Sequence, residues 1–165
     1  MKIALIILAI AFAAFIILFI ILGVISRSGQ APGLVEGKLA KCPDKPNCVC
    51  SEQKDDVNHY IDSIAIPQNT TFDSLPILKN IILDMGGTIQ AESENYVAAT
   101  FSSSIFGFAD DFEIRIDPVQ KVIHIRSAAR VGYSDMGVNK KRTESLRKQY
   151  NKKITEAIHS PDAAK

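Results

Sequence analysis

The chain has 165 residues, with 19 Lys and Arg against 18 Asp and Glu for a formal net charge of +1, and 47% of it is apolar. That length holds one domain of ordinary size, roughly 100 to 150 residues, plus one accessory segment. A charge so close to zero argues against nucleic acid as a partner, because binding to phosphates rests on a basic surface.

The accessory segment comes first. Residues 3–25 carry no charged side chain and are nearly all Ile, Leu, Ala, Phe or Val. As a helix they would be about 34 Å long against a hydrocarbon core of about 30 Å, so the lipid bilayer is the expected partner of this stretch. A cleaved secretory signal has a shorter apolar core, about 7 to 15 residues, followed by a small-residue cleavage site. Val24-Ile25-Ser26-Arg27 offers no such site and no cysteine for lipidation, so residues 1–25 read as an uncleaved transmembrane signal anchor. Ala9 and Ala13 stand four apart like a helix-packing pair, but in an alanine-rich segment chance is the better account. Residues 26–40, rich in Ser, Gly and Pro, have the composition of a flexible linker. The domain is expected over residues 41–160.

Flanking charge does not orient the span, since Lys2 on one side faces Arg27, Lys38 and Lys41 with Glu36 on the other. Cysteine usage tips the balance. Cys42 and Cys48 enclose Pro-Asp-Lys-Pro-Asn, a short loop in which a disulfide would stabilise by about 2 to 3 kcal/mol. Such bridges persist in oxidising compartments, which puts the domain on the periplasmic side of a bacterial inner membrane. Cys50 is then left free or pairs between molecules. The alternative, C-x5-C-x-C as a metal motif, fits no common zinc spacing, and His59, His124 and His159 have no metal-like spacing among them. No metal or cofactor is expected, and without C-x-x-C no redox role is either.

Along the domain, residues 59–66 alternate weakly as a strand until Pro67-Gln68-Asn69 breaks them. Asp73 then caps a helix with Pro76 in its first turn, Leu75, Leu78, Ile82 and Met85 on one stripe, and Gly86-Gly87 at its end. Residues 88–91 and 96–101 read as a hairpin with Val97, Ala99 and Phe101 on one face. Residues 110–117 and 121–128 form a second hairpin around Asp117-Pro118. Parity is informative here: pairing Phe112 and Ile114 with Ile123 and Ile125 puts Glu113 and Arg115 on the same face as His124 and Arg126. That mixed-charge ladder is either a solvated sheet face or a binding surface.

A last helix spans residues 138–159, with Val138, Leu146, Tyr150, Ile154 and Ile158 repeating mainly at four-residue intervals. Arg142 falls on the same stripe and must find a partner, for which Asp110, Asp111 and Asp135 are the candidates. Its other face, with Lys140, Lys141, Arg147, Lys148, Lys152 and Lys153, reads as solvated in preference to contacting an anionic membrane. The expected fold is α+β: a small two-layer domain, an antiparallel sheet packed with two helices, behind one transmembrane helix.

Between residues 101 and 142 the chemistry concentrates. Asp110 and Asp111 are adjacent on a strand and point to opposite faces, so they cannot act as a facing acid pair. With Arg126, Arg130, Tyr133, Ser134, Asp135, Asn139 and Arg142 they form the candidate ligand site, in which arginines would hold an anionic group and the 132–137 turn would lend backbone donors. No G-x-S-x-G, H-E-x-x-H, P-loop or dinucleotide glycine pattern occurs.

Two segments together carry a family resemblance. Cys42-Pro43-Asp44-Lys45-Pro46-Asn47-Cys48-Val49, with Phe106-Gly107-Phe108-Ala109-Asp110-Asp111 and the run from Arg126 through Gly132-Tyr133-Ser134-Asp135 to Asn139, resembles the uncharacterised family catalogued as domain of unknown function 1499. The resemblance covers nearly all of the chain after residue 40 and implies no activity. Members typically have Cys-Val-Ser-Ser where this chain has Cys48-Val49-Cys50-Ser51, so Cys50 is a departure.

The expectation is therefore a membrane-anchored envelope protein that binds an anionic small ligand or an envelope protein. The alternatives are a hydrolase-like enzyme using Asp110 or Asp135, and a purely structural interaction module.

Overall fold

The computed structural model describes residues 1–68 and 73–159; Asn69, residue 160 and the Ile158 side chain lie outside the described residues. The chain opens with helix α1 (Lys2–Ser28), among the described residues the one helix long and apolar enough to cross a membrane. It runs three residues past Ile25, the expected end of the anchor. Along its second half Ile16, Phe19, Leu22, Gly23 and Ser26 are half-buried or buried, a spacing that keeps them on one helical face. That face meets the domain.

Residues 26–40 do not stand off as a free tether. Strands β1 (Leu34–Val35) and β2 (Lys38–Leu39) form a tight hairpin whose central residues, Glu36 and Gly37, have φ of 52° and 77°. Positive φ at both central positions is the geometry whose twist suits a two-residue hairpin. The composition that suggested flexibility supplies these turns, while Leu39 is apolar and finds a buried place beside Cys50, Tyr96 and Ala98. Burying it offsets the ordering of the segment.

Next come β3 (Cys48–Cys50) and β4 (Ile64–Ala65), between which the strand expected over 59–66 is reduced to β4 and a single bridge from Tyr60 to Cys50. Helix α2 (Ser74–Asp84) begins where expected, with the Asp73 carboxylate accepting the Leu75 N–H at 2.9 Å. It ends at Gly86 and Gly87. A Cβ on Gly87 would stand 2.8 Å from the Phe101 ring, so the chain must be bare there to turn under the sheet.

Strands β5 (Thr88–Ser93), β6 (Tyr96–Ser102), β7 (Ala109–Asp117) and β8 (Val122–Ala129) follow, then helix α3 (Val138–His159). The main sheet is antiparallel in the order β3-β8-β7-β6-β5, with β4 also on β8. Ile114 pairs with Ile125, Ile116 with Ile123 and Phe112 with Ser127, two residues away from the pairing expected for Phe112 and Ile114; a shift of two keeps every side chain on its expected face, and Glu113 lies opposite Arg126. One face buries Val97, Phe101, Phe112, Ile114, Ile123 and Ile125 against Leu78 and Ile82 of α2 and Leu146, Tyr150 and Ile154 of α3. The fold is α+β.

The other face is where the sequence left two readings open. It is not solvated: residues 29–60 fold across it, and Glu113, His124 and Arg126 are all buried.

Candidate functional site

Glu113 is 0% exposed and is held by three donors: Arg126 Nη1 at 2.8 Å, the Tyr96 hydroxyl at 2.7 Å and the Gly33 N–H at 3.0 Å. A buried carboxylate is tolerable only when paired and hydrogen-bonded, and here strand, neighbouring strand and covering segment each contribute a donor. Beside it Arg115 reaches Glu52, its Nε at 2.7 Å from Oε1. Glu52 also accepts the Leu39 N–H and lies 3.7 Å from His124 Nε2. Burial, reinforced by the Arg115 charge, lowers the His124 pKa below its ordinary value although Glu52 opposes the shift.

Asp111, on the same face, binds Arg130, whose Nε and Nη2 stand 2.9 and 2.7 Å from Oδ1. Arg130 Nη1 turns the other way and donates to the carbonyls of Ser26 and Arg27 at 3.2 and 3.4 Å. A guanidinium at the last carbonyls of α1 satisfies groups the helix leaves unpaired and complements the negative end of its dipole. Ser26 completes the joint: its Oγ accepts the Ala109 N–H at 2.7 Å and donates to the Ala109 carbonyl at 3.2 Å.

Asp110 points through the sheet to the helical layer, as its parity requires. Arg142 Nη2 stands 2.9 Å from Asp110, and Nη1 donates to Asn139 Oδ1 at 2.7 Å, with the guanidinium 4.5 Å over the Phe101 ring. Burial pushes the Asp110 pKa above the usual carboxylate range against the opposing pull of Arg142. Asn139 in turn accepts from Ser127 Oγ at 2.5 Å and donates to the Asn47 carbonyl.

Asp135 caps α3, accepting the N–H groups of Gly137 and Asn139. Tyr133 and Ser134 are exposed on the loop before it. The nine candidate residues therefore fall into three places: Asp111, Arg126 and Arg130 on the covered face, Asp110, Asn139 and Arg142 under α3, and the Tyr133-Ser134-Asp135 loop. Among the described residues no three His, Cys, Asp or Glu side chains gather as a metal-ligand set.

The covered face also uses Glu52, Tyr96 and Ser26, which lie outside the candidate list. Tyr96 could have been found, since strand pairing places it on the charged face opposite Arg115. Glu52 comes from a loop without period, where only the surplus of cations on a buried face hints at a further acid, and Ser26 from the end of a helix whose sequence is apolar on every side, so nothing marks the face it takes.

The disulfide forms between Cys42 and Cys48, and Cys50 is free and buried beneath the covering hairpin. Next to that bridge a shallow cleft of about 490 Å³ opens between the covering segment and the end of β8; Gly29, Pro32, Lys41, Asp111, Arg126 and Arg130 line it. Arg126 is 6% exposed, spends Nη1 on Glu113, and leaves Nε without a partner among the described residues.

No curated protein and no solved structure matches the chain. The family model described as Protein of unknown function (DUF1499) matches residues 38–150, from the covering hairpin to the middle of α3, and the chain belongs to that family.

Proposed function

We propose that this is a single-pass envelope protein, anchored by α1 with its domain in an oxidising, periplasm-like space, and that the domain holds a small anion in the cleft beside the end of α1. The observation that carries the ligand reading is Arg126. A buried guanidinium N–H without an acceptor costs free energy, and an anion entering the cleft from the Lys41 side relieves that cost. Lys41 is exposed and Arg130 adds a second fork, so the wall is cationic apart from Asp111, which Arg130 already engages. Of the nine candidate residues, Asp111, Arg126 and Arg130 belong to this reading.

The anchor reading is supported by the helix face that packs on the domain, which a cleaved signal would not need. The compartment reading is supported by the Cys42–Cys48 bridge. A reporter fused after residue 165 tests it: activity restricted to a periplasmic reporter is the expected result.

A second reading, the purely structural module, draws on a specific observation: Arg126, Arg130 and Arg142 each already meet an acid. Thermal unfolding of the full chain in micelles separates the two, with inorganic phosphate titrated against chloride at matched ionic strength. Ligand binding predicts a phosphate-dependent rise in Tm that shrinks in Lys41→Ala, whose exposed side chain leaves the fold intact. A Tm that ignores phosphate supports the structural module.

A further inference from the structure

We infer that the loop of residues 103–108 is a membrane wedge: Ile105, Phe106 and Phe108 enter the bilayer beside α1 and fix the domain's tilt on its surface. The inference rests on α1 spanning the membrane.

The loop reads Ser-Ser-Ile-Phe-Gly-Phe and holds no charge. Its tip residue, Ile105, is 82% exposed and stands next to Phe106, so the loop presents an apolar, uncharged tip beside the helix. The loop's two aromatics are turned to α1: Phe106 and Phe108 have ring centroids 5.2 and 6.0 Å from that of Phe19. Phe19 lies six residues before Ile25, where the apolar run ends ahead of Ser26 and Arg27. At 1.5 Å per residue the contact is about 9 Å below the level where that run ends, within the depth of about 5 to 10 Å at which interfacial segments bury apolar side chains.

The loop cannot stand away from the helix without undoing this contact. A Cβ on Gly23 would come within 2.1 Å of the Phe106 carbonyl oxygen, so helix backbone and loop backbone touch where only glycine allows it. Ser26 and Ala109 pin the next turn, and so the apolar tip is carried to whatever depth the helix occupies.

Backbone entering a bilayer must bring its hydrogen bonds with it. The loop does so in part: Ser103 N–H donates to the Phe108 carbonyl at 2.8 Å, Gly107 N–H to the Ser103 carbonyl at 3.1 Å, and Phe108 N–H to Ser103 Oγ at 3.0 Å. Arg27 lies beside Gly107, where its charge reaches the headgroup level. Tyr133 and Met136, exposed on the loop that leaves β8 at the same end of the sheet, extend the surface with side chains suited to an interface.

The chain contains no tryptophan, so a single introduced Trp reports alone. Full-length protein carrying Ile105→Trp is reconstituted in phosphatidylcholine vesicles with and without brominated acyl chains. Phe12→Trp, in the middle of α1, reports the span, and Val119→Trp, 91% exposed on the far β7–β8 turn, reports water. The expected result is strong bromolipid quenching and a blue-shifted emission for Ile105→Trp and Phe12→Trp, and neither for Val119→Trp. Quenching of Phe12→Trp with an unquenched Ile105→Trp overturns the wedge and leaves the anchor standing. An unquenched Phe12→Trp removes the anchor, and the wedge with it.

Discussion

Glu113 and Arg126 meet at 2.8 Å across β7 and β8 with the carboxylate wholly shut off from water. The pair sits between the sheet and the 29–60 covering segment, and its third and fourth groups, the Tyr96 hydroxyl and the Gly33 N–H, tie β6 and the cover to it. Burial and the adjoining Glu113 carboxylate push the Tyr96 hydroxyl far above the ordinary tyrosine pKa, which keeps it a donor. Removing the acid strands three donors at once.

Glu113→Ala is therefore expected to cost about 3 to 5 kcal/mol, the range for breaking a buried pair by deleting one partner. Tyr96→Phe removes one donor of the three and should cost about 1 kcal/mol. Urea unfolding of the full chain in micelles checks both, and a loss below about 1 kcal/mol for Glu113→Ala would show that water reaches the pair.

The alternation of residues 112–117 and 123–126 was enough to say which side chains share a face, and the opposite orientations of Asp110 and Asp111 followed from the same parity. The stripe of α3 placed Arg142 where it needed an acid, and Asp110 supplies it. What could not be read was the cover. Glu52 and Gly33 act from loops, where no period links a residue to the face it meets, and Ser26 acts from the end of a helix apolar on every side, where composition does not mark the docked face. A Gly- and Pro-rich composition is shared by tethers and by tight hairpins, so residues 26–40 look flexible until Leu39 is seen to have a place in a second small core. The three-way separation of the candidate site has the same origin: proximity in sequence between residues 126 and 142 says nothing about which side of the sheet each side chain takes.

Two histidines give opposite pH signatures. His59 has an acceptor at each nitrogen, Asp56 2.7 Å from Nδ1 and the Lys45 carbonyl 2.9 Å from Nε2. Burial opposes the charged ring, but these bonds and the nearby carboxylates outweigh it and raise the His59 pKa above 6.5. Its stabilisation is fully present below pH 6.5 and lost as pH rises through the folded-state value. His124, lowered by burial, contributes stability present above pH 6.5 and lost as pH falls through its folded-state value. The stability gap between wild type and His59→Gln should thus widen toward acid, and that for His124→Gln should narrow. Denaturant midpoints measured across neutral and mildly acidic pH decide it, and parallel curves for the two variants would contradict the assignments.

The cysteines make a prediction by counting. Without reductant the native chain should show no thiol to a polar disulfide reagent, because Cys50 is buried and its burial raises the thiol pKa. Unfolding should release one thiol, and reduction all three. Replacing Cys42 and Cys48 together by serine should lower stability by about 2 to 3 kcal/mol, the loop-entropy value for so short a ring. One thiol per chain that reacts before unfolding would mean that the covering hairpin opens.

The joint between α1 and the sheet can be cut at Gly23 without touching the domain's core. A side chain there meets the Phe106 backbone, which has no rotamer by which to yield, so Gly23→Leu should force the helix off residues 103–108. The Ser26 hydroxyl then loses its bonds to Ala109, and Arg130 loses the carbonyls it caps. Arg27, exposed but held within the docked last turn, becomes free chain. Trypsin digestion of the full protein in vesicles should cut after Arg27 much faster in Gly23→Leu than in wild type. Ile17→Ala, on the far face of α1, should leave the rate unchanged. Equal rates for all three chains would mean that the helix end and the sheet are not joined in the membrane.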